Sequence, residues 1–138
     1  MRRQLLAVHP ESLACALIED GGRVLFLVSR SRDGREELSL PSILLKKGED
    51  PVSSLAAAVR AQTGIDAHVQ SPVLQGMFNS GSKRNRKLIA AIAFSVTSKS
   101  YSAKPGAGFT SAVWLKAEDA KAKRFSRASE WLRNCARV

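Results

Sequence analysis

The chain has 138 residues, 44% of them hydrophobic, and a formal net charge of +10. That length suits one domain over residues 1–138 with one core. No apolar run approaches the roughly 20 residues that a membrane-spanning helix needs, so a bilayer span is excluded from the reading.

In chain order, "MRRQLLAVHPES" carries two arginines, but its apolar stretch, Leu5 to Val8, is cut short by His9, Pro10 and Glu11. It reads as no secretion signal. A cytoplasmic location is therefore the expectation, with Cys15 and Cys135 as free buried thiols. Ser12–Asp20 reads as a strand, Gly21 and Gly22 as a turn, and Arg23–Arg30 as a second strand, a hairpin by pattern. "SRDGREEL" is a charged loop around Gly34. "LSLPSILLKKGED" is short extended pieces broken by Pro41.

The clearest element follows. Asp50 is a strong N-cap, Pro51 suits the first helical position, and Gly64 suits the left-handed residue past the end. Val52, Leu55, Ala56 and Val59 recur at helical spacing and predict the buried stripe. "AHVQSPVLQGMFN" reads as extended. "SGSKRNRK" is a turn-rich basic connection, and Leu88–Val96 reads as a central strand buried on both faces. After a loop, "TSAVWL" (Thr110–Leu115) is another strand and "KAEDAKAK" holds a helical turn. "SRASEWLRNCARV" is a terminal helix capped by Ser126, with Ala128, Trp131, Leu132 and Cys135 on one face. The order predicts one mixed α/β sandwich.

The charge is uneven. Residues 1–66 hold nine basic and nine acidic side chains; residues 67–138 hold thirteen and three. No Asp or Glu lies between Asp66 and Glu118. Such a field favours polyanions, nucleotides or nucleic acid among them. Lys83, Arg84, Arg86 and Lys87 concentrate it, either as a phosphate clamp or as a solvated loop tip. Tyr101 and Phe109 are candidates for stacking a base, whereas Phe78, Trp114 and Trp131 read as core. His9 and His68 stand alone and read as no metal ligands. "GAG" at 106–108 lacks the Lys and helix of a P-loop, and no serine has a His and base to make it a nucleophile.

Leu40 to Ile65 resembles the Nudix box of the MutT-like nucleoside-diphosphate-X hydrolases, G-x5-E-x7-R-E-U-x-E-E-x-G-U, with U aliphatic. Laid on this chain, the early Glu is Glu49, the last Gly and aliphatic are Gly64 and Ile65, and the middle aliphatic is Val59. The first Gly falls on Ile43, the Arg-Glu pair on Ala57 and Ala58, and the Glu-Glu pair on Ala61 and Gln62. The resemblance implies a Nudix-type α/β/α sandwich with a mixed central sheet. In that family the helix glutamates ligate Mg²⁺, and residues 58, 61 and 62 share one helix face. Alanine offers no ligand and Glu49 alone holds Mg²⁺ poorly. The expectation is therefore no metal, no cofactor and no catalytic residue, Glu49 being the one retained acid, on a helix kept as scaffold. Asp33, Glu36 and Glu37 are the acids that could approach from the early loop. Against the family's cleft, Arg30 and Arg32 follow the second strand and Lys46 and Lys47 flank the box, so they join Lys83, Arg84, Arg86 and Lys87 as candidate ligand-binding cations. The reading is an inactive Nudix-fold protein binding a nucleotide or RNA. The alternatives are a divergent Nudix hydrolase, which would need Mg²⁺, and a protein-interaction subunit with a vestigial pocket. A homodimer is left open; a membrane partner is not expected.

Overall fold

A computed structural model describes residues 11–138; the readings of the segment 1–10, His9 included, lie outside the described residues. Strands β1 (Ser12–Asp20) and β2 (Arg23–Arg30) flank the Gly21–Gly22 turn, both glycines at positive φ. β3 (Glu36–Ser39) and β4 (Ser42–Leu45) sit either side of Leu40 and Pro41. Then come helix α1 (Pro51–Thr63), the long strands β5 (His68–Asn79) and β6 (Leu88–Thr97), and β7 (Ser111–Leu115). Helix α2 (Ala117–Lys121), a 3₁₀ helix (Arg127–Asn134) and β8 (Ala136–Arg137) close the chain.

Among the described residues the strands form one eight-stranded mixed sheet. Its main path is β3-β2-β1-β6-β5-β8, with β4 added to β1 and β7 to β2. β1 and β6 run parallel, Ser12 beside Ala90 through Ile18 beside Val96, and every other pairing is antiparallel. The expected β1–β2 hairpin is narrower than its sequence suggests: only Glu19–Val24 and Asp20–Arg23 pair. Beyond the turn the strands part, because β1 takes β4 and β6 as its neighbours while β2 takes β3 and β7.

Alternation along β1 explains the layering. Ala14, Ala16 and Ile18 face one core with Leu55 and Val59 of α1, Phe94 and Val96. Leu13 and Cys15 face the other, with Phe125 and Trp131 from the C-terminal segment. The sheet therefore lies between α1 and the α2–3₁₀ layer. β6 is buried on both faces only from Ala91 to Val96; Leu88 and Ala90 at its start are exposed. The helix stripe is also rotated from the predicted one. Leu55, Ala58, Val59 and Thr63 are buried, whereas Val52 is 45% exposed.

The terminal helix departs further. It is 3₁₀, and Ser126 makes no side-chain cap. The Ser126 hydroxyl instead bonds the Ser39 hydroxyl at 2.6 Å, and the Ser129 hydroxyl accepts from the Leu40 N–H at 3.0 Å. These bonds tie the helix to Ser39 at the end of β3 and to Leu40 just after it, so the hydroxyls are engaged across the chain and not at a cap.

Candidate functional site

The site begins with α1. The Asp50 carboxylate accepts from the Ser53 N–H at 3.1 Å, and that bond holds its pKa below the ordinary carboxylate value. Gly64 at φ 76° turns the chain out, its N–H donating to Arg60 O. Both ends match their sequence signals. The face between them holds residues 58, 61 and 62.

Ala57 and Ala61 are exposed, but Ala58 is only 8% exposed and belongs to the buried stripe. Gln62 is engaged at both ends of its amide. The Ser42 N–H donates to Gln62 Oε1 at 3.2 Å, and Gln62 Nε2 donates to the Ser42 carbonyl at 2.8 Å. Residues 104–106 lie against the same end of the helix: the Lys104 N–H donates to Thr63 O at 2.9 Å and the Gly106 N–H to Gln62 O at 2.8 Å. The approach is close enough that a Cβ at residue 106 would lie 2.4 Å from Ala61 O. Glycine at 106 thus serves close backbone packing on the helix.

The remaining acids are committed elsewhere. Glu49 Oε1 accepts from the Lys46 N–H at 2.7 Å, closing the 46–49 turn. Asp33 accepts from the Ser31 hydroxyl, from Arg124 and from the Arg35 N–H, and these bonds, in that order, hold its carboxyl far below the usual range. Glu37 pairs with Arg124 at 3.1 Å and Glu36 with Arg30 at 3.9 Å. Arg124 precedes Phe125, on the sheet face opposite α1. Among the described residues no three His, Cys, Asp or Glu side chains gather into a set fit to hold a metal ion. The donor set at α1, two methyl groups and an amide already bonded to a peptide, does not fit Mg²⁺, which takes oxygen ligands.

The candidate cations divide into groups. Arg30 donates to Gly34 O at 2.9 Å and neighbours Glu36, while Arg32 is exposed beside it. Lys46 and Lys47 line the mouth of a cavity of about 260 Å³ between the 46–49 turn and the sheet, floored by Ala14, Ile92 and Phe94. Lys83, Arg84, Arg86 and Lys87 sit on the β5–β6 turn. The structure brings together the members of each group; it places the turn at the far end of the β5–β6 pair from residues 68 and 97.

That turn is built rather than loose. Asn79 Oδ1 accepts from the N–H groups of Gly81 and Lys87 at 3.0 and 2.9 Å, and the Ser82 hydroxyl accepts from the Asn85 N–H at 2.9 Å. The Ser80 N–H donates to Lys87 O at 2.8 Å. A Cβ on Gly81 would meet Asn85 O at 2.1 Å, so only glycine lets the turn close. Lys87 is paired with Glu11 and pulls that carboxyl's pKa down. Lys83, Arg84 and Arg86 are exposed and have no carboxylate partner among the described residues. Sequence reasoning found these cations but not Asn79, the asparagine that orders them. Arg127 also reaches the turn, donating to Asn79 O at 3.0 Å.

The aromatic candidates are less open. Tyr101 meets Trp114 edge-on at 6.0 Å and its hydroxyl accepts from the Ser98 N–H. Phe109 is half-buried, and Phe78 packs on the core as expected. Cys15 and Cys135 are both free, the first buried.

No family model matches the sequence, and no curated protein sequence matches it. Solved structures do. The chain superposes on the Escherichia coli ORF135 protein with a TM-score of 0.72, covering 93% of this chain and 91% of that one at 16% identity. For the MutT protein of Methanosarcina mazei the score is 0.68, with 92% and 91% covered at 21% identity. For a Nudix hydrolase of Nitrosomonas europaea it is 0.60, with 83% and 77% covered at 24% identity. The architecture is therefore the Nudix fold, a mixed sheet between helical layers. No helix of the described residues is long and apolar enough to cross a membrane.

Proposed function

We propose that this is a non-catalytic Nudix-fold module that binds a polyanion, a single-stranded RNA or a nucleotide, at the β5–β6 turn. The observation that carries the reading is the turn itself: a hydrogen-bonded frame that presents Lys83, Arg84 and Arg86, which have no carboxylate partner among the described residues. A cation carried on an ordered backbone loses less conformational freedom on meeting phosphate than one on a loose loop. The absence of Asp and Glu between residues 66 and 118 leaves the surrounding field positive.

The chemistry at α1 argues for binding over cleavage. Pyrophosphate hydrolysis in this fold needs divalent metal to stabilise charge on the breaking P–O bond, a contribution of several kcal/mol. Here the metal-facing positions hold methyl groups, and the one polar side chain is bonded to a backbone peptide. Arg30, Arg32, Lys46 and Lys47 join the reading as secondary contacts for a longer chain.

The test is fluorescence anisotropy with a labelled single-stranded RNA at several salt concentrations, beside the variant Lys83→Glu/Arg84→Glu/Arg86→Glu. Each phosphate contact to a single strand contributes about 0.7 to the slope of log affinity against log salt, so losing three should flatten it by roughly 2. Lys87 is left unchanged because Glu11 already holds it. An unaltered slope and affinity in the triple variant would retire the turn as the binding surface. Mg²⁺-dependent hydrolysis of nucleoside-diphosphate compounds by the wild type would overturn the non-catalytic reading separately.

A further inference from the structure

A second cavity lies on the opposite side of the sheet from α1, and nothing in the polyanion reading uses it. It is open to solvent on one side and offers about 490 Å³ between β1, β2, β5 and the C-terminal segment. That is the size of a small-molecule site. Its walls are apolar: Leu17, Phe26, Leu74, Phe125 and Leu132. Phe26 and Phe125 stack there at 6.1 Å. Protein interiors normally close such space with side chains.

The polar side chains that line it are few. They are Lys121, Arg133 and the Cys135 thiol; among the described residues no carboxylate, amide or hydroxyl side chain lines the cavity. Arg133 is rigidly placed. Its guanidinium lies 4.6 Å from the Phe125 ring centroid, and it donates to Glu130, to Lys121 O at 3.1 Å and to Lys123 O at 2.7 Å. Of a guanidinium's five N–H donors, two remain for a ligand. Lys121 has no carboxylate partner among the described residues.

This chemistry selects a ligand class. A nucleobase is a poor fit, because its donors and acceptors would be buried without partners, at about 1–3 kcal/mol each. An apolar body satisfies the walls, and one anionic head meets Lys121, which has no carboxylate partner among the described residues, and the two N–H groups that Arg133, already paired with Glu130, leaves unused. We propose that the cavity binds a small amphipathic monoanion, an apolar chain or ring bearing a carboxylate or sulfonate, with its body against Phe26, Leu74 and Phe125 and its head at Lys121 and Arg133.

The experiment uses the full chain and three probes: anilinonaphthalene sulfonate, decanoate and uncharged decanol. The sulfonate should bind saturably at one site per chain, read by fluorescence, and decanoate should displace it. Decanol should compete at least about tenfold more weakly, a difference of about 1.4 kcal/mol. Leu74→Trp, which fills the cavity, should weaken the sulfonate at least about tenfold at unchanged melting temperature. Cys135 gives a measurement on the unmodified protein: decanoate should slow its labelling by a neutral maleimide. Non-saturable binding, sulfonate affinity unchanged in Leu74→Trp, or Cys135 labelling indifferent to decanoate would overturn the site. Decanol as effective as decanoate would overturn the anionic class. If Leu74→Trp does not fold, Cys135 protection decides alone.

Discussion

Gln62 carries both halves of an amide, and the Ser42 peptide offers both complements at 3.2 and 2.8 Å. A carboxylate of the same length could keep only the first bond. Gln62→Glu would set negative oxygen against the Ser42 carbonyl and leave that acceptor unpaired, at about 1–3 kcal/mol. Urea unfolding should show that loss, and added Mg²⁺ should not restore it. Cys15 supplies a pH signature. Burial pushes its thiol up to about 12 from an ordinary 9.0, and the neighbouring Trp131 indole N–H works the other way. That N–H is buried without an oxygen or nitrogen acceptor. A folded-state pKa above the unfolded one means full stability below pH 9, lost as pH rises from about 9 toward about 12 while the unfolded chain ionises first. The fall is at most about 1.4 kcal/mol per pH unit for one group. Denaturant titrations across that window should be flatter for Cys15→Ala than for the wild type.

Among the elements, α1 was the most legible, because its ends are written in local chemistry: Asp50, Pro51 and Gly64 each do what their side chains favour wherever they occur. Its buried stripe was less so. Val52 and Ala58 are both apolar, and which one turns inward depends on the sheet beneath, not on spacing. The terminal helix was legible as a helix but not as 3₁₀, since Ser126 and Ser129 answer to Ser39 and Leu40, nearly ninety positions earlier. At the site, the missing carboxylates were plain in the sequence, whereas the Gln62–Ser42 bonds, the Arg124 hold on Asp33 and Glu37, and the Asn79 frame are long-range or geometric facts. The 104–106 strap was hidden for the same reason. Gly106→Ala would drive a methyl into the Ala61 carbonyl, breaking the Gly106–Gln62 bond or shifting the loop. A loss of about 2 kcal/mol is expected by thermal or urea unfolding, with faster amide exchange at residues 104–106.

At the scale of the molecule, a net charge of +10 placed wholly in residues 67–138 makes the second half repel itself. Among the described residues, the ion pairs that reach this half are Lys87 with Glu11, Arg124 with Asp33 and Glu37, and Arg133 with Glu130, which leaves most of its basic side chains unpaired. Screening should therefore stabilise: the melting temperature should rise as NaCl goes from about 10 to 150 mM, where the screening length shortens to about 8 Å. A Tm that is flat or falling over that range would show that attractive pairs outweigh the repulsion. A different consequence follows from the parallel pairing that sets Ser12 beside Ala90. During synthesis, at about 5–20 residues per second, the first strand emerges several seconds before the neighbour it lies against. It has only β4 and a two-pair contact with β2 for company in that interval. The early half of the polypeptide cannot complete its own core, and the ribosome must carry an unfinished sheet edge until Val96 has cleared the tunnel.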